Sequence, residues 1–210
     1  MGRQKLLNQI EAYYTGKVRE HGATHRGVDW NSTESQELRF RQLLKIVRNE
    51  LDASVNDYGC GYGAMARYMR EHGYKGLYYG FDLSPEMIQQ ARSQQANIPC
   101  CDFFSEAARL VPAHFTIASG IFNVKQGADN AEWQQYVLDT LDTIAATSTR
   151  GFSFNMLTSY SDADHMRPDL FYGDPCFFTD YCIRHFSRHV AMLHDYGLYE
   201  VTLLVRLNQP

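Results

Sequence analysis

Long apolar runs are missing from this 210-residue chain, and no stretch approaches the ~18 consecutive apolar residues that a bilayer-crossing helix needs. The pattern therefore predicts no membrane span. The opening Met1-Gly2-Arg3-Gln4-Lys5-Leu6-Leu7 lacks the apolar core and small-residue cleavage site of a secretory signal, so a cytoplasmic location is expected. Basic blocks are scarce as well. With 20 Lys and Arg against 24 Asp and Glu the formal charge is −4, and the clustered cations that neutralise phosphates are absent, which argues against general nucleic-acid binding. Cysteine pairing signals are also lacking. The five cysteines (Cys60, Cys100, Cys101, Cys176 and Cys182) are odd in number and form no Cys-x-x-Cys pair, so they read as reduced thiols rather than a disulfide framework or zinc ribbon.

What is present is ample apolar material, 44% of the chain, enough for one domain with some extra elements. Aromatics are abundant, with 14 Tyr, 12 Phe and 2 Trp, and several fall in turn-like segments where a flat or cationic ligand would be held. Residues 2 to 22 read as a polar helix with apolar Leu6, Leu7, Ile10, Tyr13 and Tyr14, stopped by Gly22. The aperiodic stretch from Ala23 to Asn31 reads as a loop and a candidate lid. Thr33-Glu34-Ser35-Gln36 resembles a capping box that opens a second helix. From about residue 53 strands alternate with helices, so residues 1–52 are expected to form a helical cap and lid and residues 53–210 the core. Strands are expected near Ser54–Tyr58, Leu77–Asp82, Ile98–Phe103, Phe115–Ser119 and Gly151–Leu157, then Val190–His194 and Tyr199–Arg206 as a terminal hairpin. Intervening helices near Ala64–His72, Pro85–Gln95 and Ala131–Ala146 imply crossovers, hence a doubly wound, mainly parallel α/β sheet.

The sharpest motif is Asp57-Tyr58-Gly59-Cys60-Gly61-Tyr62-Gly63, between the first strand and a helix. Glycines there allow a tight turn and close approach of backbone to a ligand. Asp82 ends the second strand beside that loop, where a carboxylate can accept from both hydroxyls of a ribose, so a nucleoside is expected. Gly59, Gly61 and Ala64 also satisfy a dinucleotide fingerprint, which leaves an NAD(P)-dependent oxidoreductase as an alternative. Asp57 argues against it, since an acid sits poorly beside a pyrophosphate and well beside an ammonium group.

Asp57-x-Gly59-Cys60-Gly61-x-Gly63, followed by Gly80-Phe81-Asp82-Leu83-Ser84-Pro85-Glu86-Met87-Ile88 and Ala91, strongly resembles the class I S-adenosylmethionine-dependent methyltransferases. The resemblance implies a seven-stranded sheet ending in an antiparallel hairpin, with S-adenosyl-L-methionine as cofactor. It implies that the Gly59–Gly63 backbone wraps the methionine part, that Asp82 takes the ribose hydroxyls, and that Leu83 lies against adenine. It further implies that Asp102 and Phe103 meet the adenine amino edge, and that Ser119, Gly120 and the residues to Phe122 face the sulfonium. Many members carry an acid just before the fourth strand, where this chain reads His114-Phe115-Thr116. A non-catalytic subunit that keeps the cofactor fold is a further alternative.

In a doubly wound sheet the ligand crevice lies outside the C-terminal strand ends, which makes His194 a candidate base; His25 in the lid is another. Arg39 is a candidate partner for the cofactor carboxylate. Tyr14, Trp30, Asn123, Tyr160 and Tyr172 are candidate contacts to a small-molecule acceptor with O or N as the reacting atom, under a cap that includes the loop Thr158–Pro175. Asp162-x-Asp164-His165 in that loop is a chance-level pattern, so no metal is expected.

Overall fold

The computed structural model describes residues 2–207, so Met1 and the last three positions of the expected 53–210 core lie outside the described residues. Helix α1 (Arg3–His21) buries Leu6, Ile10 and Val18, and ends where Gly22 takes φ +66°. A short 3-10 turn (His25–Val28) leads to α2 (Thr33–Leu43). The capping box sits one residue earlier than expected. Ser32 Oγ accepts from Ser35 N at 3.1 Å while Ser35 Oγ accepts from Ser32 N at 3.3 Å, because a serine hydroxyl at the third helical position can reach back as Glu would.

The core then runs β1 (Val55–Tyr58), α3 (Ala64–Glu71), β2 (Tyr78–Phe81), α4 (Pro85–Gln94), β3 (Cys101–Phe104), β4 (Ala113–Ala118), α5 (Asn130–Ala146), β5 (Ser148–Leu157), α6 (Pro175–His185), β6 (His189–Leu193) and β7 (Glu200–Arg206). Local chemistry sets several starts. Ser84 and Asp174 cap α4 and α6 with proline at the next position, and Asp129 caps α5 by accepting from Glu132 N at 2.8 Å. The seven strands lie in the order β3-β2-β1-β4-β5-β7-β6, with β7 antiparallel to both neighbours and the other six parallel.

Alternation along the strands divides the interior into two layers. On one face Phe152, Phe154 and Met156 of β5 meet Trp133, Val137 and Leu141 of α5, Phe178 of α6, and Leu6 and Ile10 of α1. On the other, Val55, Phe115 and Ile117 meet Phe40 and Leu43 of α2 and Met65 and Met69 of α3. Both N-terminal helices thus share the cores of the sheet. Strand order reverses between β1 and β4, and the crevice at such a switch point is where doubly wound sheets bind ligands.

Candidate active site

The glycine loop leaves β1 with three left-handed residues, Gly59 at φ +86°, Gly61 at +53° and Gly63 at +78°. A Cβ on Gly59 would lie 2.2 Å from Ile121 Cγ2, so the loops after β1 and β4 touch across the switch point. Amides of Gly59 and Cys60 donate to Phe81 O at 2.7 and 2.9 Å, which ties the loop to the end of β2. Phe103 lies beneath it: a Cβ on Gly63 or Gly80 would stand 2.9 or 2.6 Å from the Phe103 ring.

Two carboxylates flank this loop. Asp82 Oδ2 accepts from Gly61 N and Oδ1 from Ser84 N, both at 2.9 Å, leaving one lone pair on each oxygen for further donors. Burial pushes its carboxyl up to about 6, and these two amides pull it back down. Asp57 is buried, with Tyr78 Oη donating to Oδ2 while Oδ1 has no partner. Burial raises its carboxyl to about 7, Tyr78 opposing and Asp82 adding to the rise. Burial also pushes the Cys60 thiol well up, with Asp82 and Asp57 adding to the shift, so Cys60 stays a neutral packing residue.

Asp57, Gly59, Cys60, Gly61, Asp82 and Leu83 line a cavity of about 840 Å³ counting its mouth. Ser119, Gly120 and Ile121 close it from the β4 side, and Tyr14, Trp30 and Ile10 from the N-terminal segments. Ser119 Oγ is a second buried polar atom without a partner. The Tyr14 phenol is raised by burial first and by Asp29 and Tyr13 next, so it remains a donor. A second cavity of about 980 Å³ adjoins the first and shares Tyr14, Val28, Trp30 and Gly120 with it. Asn123 and Tyr172 line its far side.

Other expected residues lie elsewhere. Phe122 is fully buried, edge-on to Phe154, with its carbonyl accepting from Trp133 Nε1 at 2.8 Å; it turns into the core, not toward a ligand. Asp102 lies within β3, short of its C-terminal end, and pairs on the surface with Arg109 at 2.7 Å. Phe103 supports the glycines from below and does not line the cavity. Arg39 is committed to Glu200, with Nε to Oε1 at 2.9 Å and Nη2 to Oε1 at 2.6 Å, so its guanidinium lines the second cavity rather than the first. His194 follows β6, the edge strand three places from β4, roughly 14 Å away at ~4.8 Å per strand, and lines neither cavity. His25 begins the 3-10 turn outside both cavities. Tyr160 is 65% exposed.

Sequence reasoning missed Glu200, Asn155, Tyr136, Gln36 and Glu11. The first two were hidden because a charged or amide residue inside a strand reads as a solvent-facing position. Their burial arises only when α2 crosses β5 and β7. At the rim of the second cavity, Asp162, Asp164 and His165 bring ligand-type atoms within 4.8 Å, all exposed, with Tyr199 Oη already donating to Asp162.

Comparison with known proteins agrees with this geometry. A family model described as a methyltransferase domain matches residues 55–137. A Mycobacterium tuberculosis protein assigned as a methyltransferase is 48% identical over 163 residues, 78% of this chain and 98% of that protein. Magnesium protoporphyrin IX methyltransferase from Synechocystis, solved with bound S-adenosylmethionine, superposes with TM-score 0.69 at 15% identity, over 96% of this chain and 97% of that one. Human N-acetylserotonin methyltransferase, solved with the same cofactor, gives 0.67 at 15% identity over 100% of this chain and 61% of that one. These two likenesses show the shared fold.

Proposed function

Because this chain belongs to the class I S-adenosylmethionine-dependent methyltransferases, we propose that it methylates a small-molecule acceptor, on oxygen or nitrogen, held in the second cavity. The cofactor is S-adenosylmethionine. The oxidoreductase alternative for Gly59, Gly61 and Ala64 gives way to this family; a non-catalytic subunit would bind the cofactor yet form no product alone with any acceptor.

The cleft fits the cofactor. The partnerless, buried Asp57 Oδ1 and Ser119 Oγ call for donors or acceptors from a ligand, and an ammonium answers the first. The spare lone pairs on Asp82 suit ribose hydroxyls, and Leu83 and Met87 offer an apolar bed for a base. When bound, the cofactor supplies an electrophilic methyl group on a sulfonium. The chain's part is alignment, which in good cases supplies about 7 kcal/mol or more. Tyr14, Trp30 and Gly120 form the boundary between cleft and second cavity, and this shared wall is the observation that carries the reading. Asn123 and Tyr172 face the acceptor. Asn123 Oδ1 already accepts from Leu157 N at 3.1 Å, which leaves its amide hydrogens for a ligand. Where the acceptor carries a proton, His165 is the histidine lining this cavity, its Nδ1 3.0 Å from Asp164 Oδ1. Within residues 1–52, the part from α1 to Trp30 acts as the lid, since it closes both cavities, while α2 belongs to the core.

Calorimetry tests the cofactor half. Asp82→Ala is expected to weaken S-adenosylmethionine binding by about tenfold or more, from loss of charge-assisted bonds to hydroxyls, and unchanged affinity overturns the assignment. A panel of phenols, amines and hydroxy compounds, read by S-adenosylhomocysteine formation, tests the acceptor half. Turnover confined to protein or RNA fractions overturns the small-molecule reading.

A further inference from the structure

Between the two cavities lies a closed chain of buried contacts. Gly120, at φ +72°, donates its amide to Asn155 Oδ1 at 2.7 Å. Asn155 Nδ2 donates to Glu200 Oε2 at 2.5 Å, and Glu200 accepts from the Nε and Nη2 of Arg39. The Arg39 guanidinium lies 3.9 Å from the Trp30 ring centroid, and the edge of that indole rests on Gly120, where an added Cβ would stand 2.2 Å from Cη2. The ring thus returns to its starting residue. Asn155 and Glu200 are fully buried and Arg39 nearly so, and burial strengthens these bonds relative to exposed ones.

We propose that Glu200 and Asn155 are positioning residues whose donor–acceptor order fixes the Gly120 corner, the wall past which the methyl group travels. The proposal rests on the methyltransferase reading of the two cavities. Its physical basis is parity. A backbone amide can only donate, an ionised carboxylate can only accept, and an arginine can only donate. Asn155 stands between the Gly120 amide and the Glu200 carboxylate, so just one orientation of its carboxamide satisfies both sides. Glu200 is held by Arg39 on its other side and cannot turn away. The charge at Glu200 is in this way read out as the direction of one amide group and then as the position of Gly120. Trp30 receives the same information through Arg39, so both faces of the boundary between cleft and acceptor cavity depend on one carboxylate.

Replacing one oxygen by NH₂ in Glu200→Gln breaks the order. The new carboxamide keeps an acceptor for Arg39 and then presents its amide hydrogens to Asn155 Nδ2, donor against donor. Asn155 must flip, and the Gly120 amide then faces a second donor. Asn155→Asp breaks the order differently, by setting a carboxylate against Glu200. The double variant E200Q/N155D restores it. There the carboxamide at position 200 donates to the carboxylate at position 155, that carboxylate accepts from the Gly120 amide as well, and one negative charge again balances Arg39.

The test follows amide hydrogen exchange at Gly120, emission of Trp30 in a Trp133→Phe background, and S-adenosylhomocysteine affinity by calorimetry. Each single variant is expected to speed Gly120 exchange by about tenfold relative to the β4 amides Phe115 and Ile117, and to shift Trp30 emission. The double variant is expected to return both signals to within about threefold of the parent. A merely structural pair would speed exchange across β4 uniformly, and the core variant Ile144→Val controls for that. Singles that leave Gly120 and Trp30 unmoved, or a double no better than the singles, overturn the proposal. Should a single variant fail to fold, recovery of a folded double with parental Gly120 exchange supports the same order, and its failure to recover refutes it. Absence of S-adenosylhomocysteine binding in the parent would refute the reading of the cleft instead, and is seen separately.

Discussion

Asn in place of Asp57 should make the protein without cofactor more stable at pH 8 while weakening cofactor binding. Burial raises the folded-state carboxyl to about 7, against about 3.9 for an unperturbed Asp. The sign follows from linkage. A raised acid favours the folded state while protonated, so its contribution is intact below about pH 4 and is lost as pH climbs toward 7. Three units correspond to about 4 kcal/mol at most. Asn removes that cost and can still accept from Tyr78 Oη, but it buries an amide whose unmet hydrogens take back about 1–3 kcal/mol. A net gain of about 1–3 kcal/mol remains, several degrees in Tm at about 2–4 °C per kcal/mol for a chain this size. Cofactor binding responds in the opposite sense, because the partnerless Oδ1 is where an ammonium would sit. At pH 6 only about one molecule in ten has Asp57 ionised, so the apparent Kd for S-adenosylhomocysteine should be about tenfold above its value at pH 8. In Asp57→Asn this step should vanish and affinity at pH 8 should fall about 10- to 100-fold, leaving the weaker titration of Asp82 near 6. Calorimetry and thermal melts across pH 5.5–8 measure both effects. A flat pH profile in the parent, or a variant with both lower Tm and full affinity, refutes the reasoning.

Gly59→Ala should cost about 1–3 kcal/mol of stability and reduce S-adenosylhomocysteine affinity, because alanine resists φ +86° and its Cβ would strike Ile121. Adding Ile121→Ala should recover part of the loss, and melts that show no recovery would mean that φ alone sets the cost. His194→Ala, beyond the edge strand, should change stability by less than about 0.5 kcal/mol and leave cofactor affinity unaltered; a marked loss in calorimetry would return it to the site.

Much of the fold was legible because its signals are local. Ser84-Pro85 marks a helix start by capping chemistry, Gly22 and the 59–63 glycines mark turns that need positive φ, and the runs in β5 and β7 mark strands while leaving the burial of their polar residues hidden. Those features depend on residues a few positions apart, where hydrogen bonding and sterics act without the rest of the chain. Asp57 and Asp82 were legible as a site for the same reason, since each is adjacent to a strand end and the pairing of β1 with β2 fixes their proximity. Strand ends mattered where the reading slipped. Asp102 lies short of the edge because β3 runs on to Phe104, and Phe122 points inward because the chain after Gly120 turns down onto α5.

Local spacing was enough to specify a nucleoside, and the motif resemblance then pointed to S-adenosylmethionine: a glycine loop, an acid one strand away and the distance between them along the chain dictate backbone geometry and hydrogen-bond capacity directly. The wall between the two cavities came from tertiary packing. Arg39, Asn155, Trp30 and Glu200 lie up to 161 positions apart between hydrogen-bonded partners, and only the crossing of α2 over β5 and β7 buries them together. Burial in turn strips away water and makes their donor–acceptor order matter. His194 lost its place to the same cause, since strand order, which no local pattern encodes, sent its strand to the far edge of the sheet.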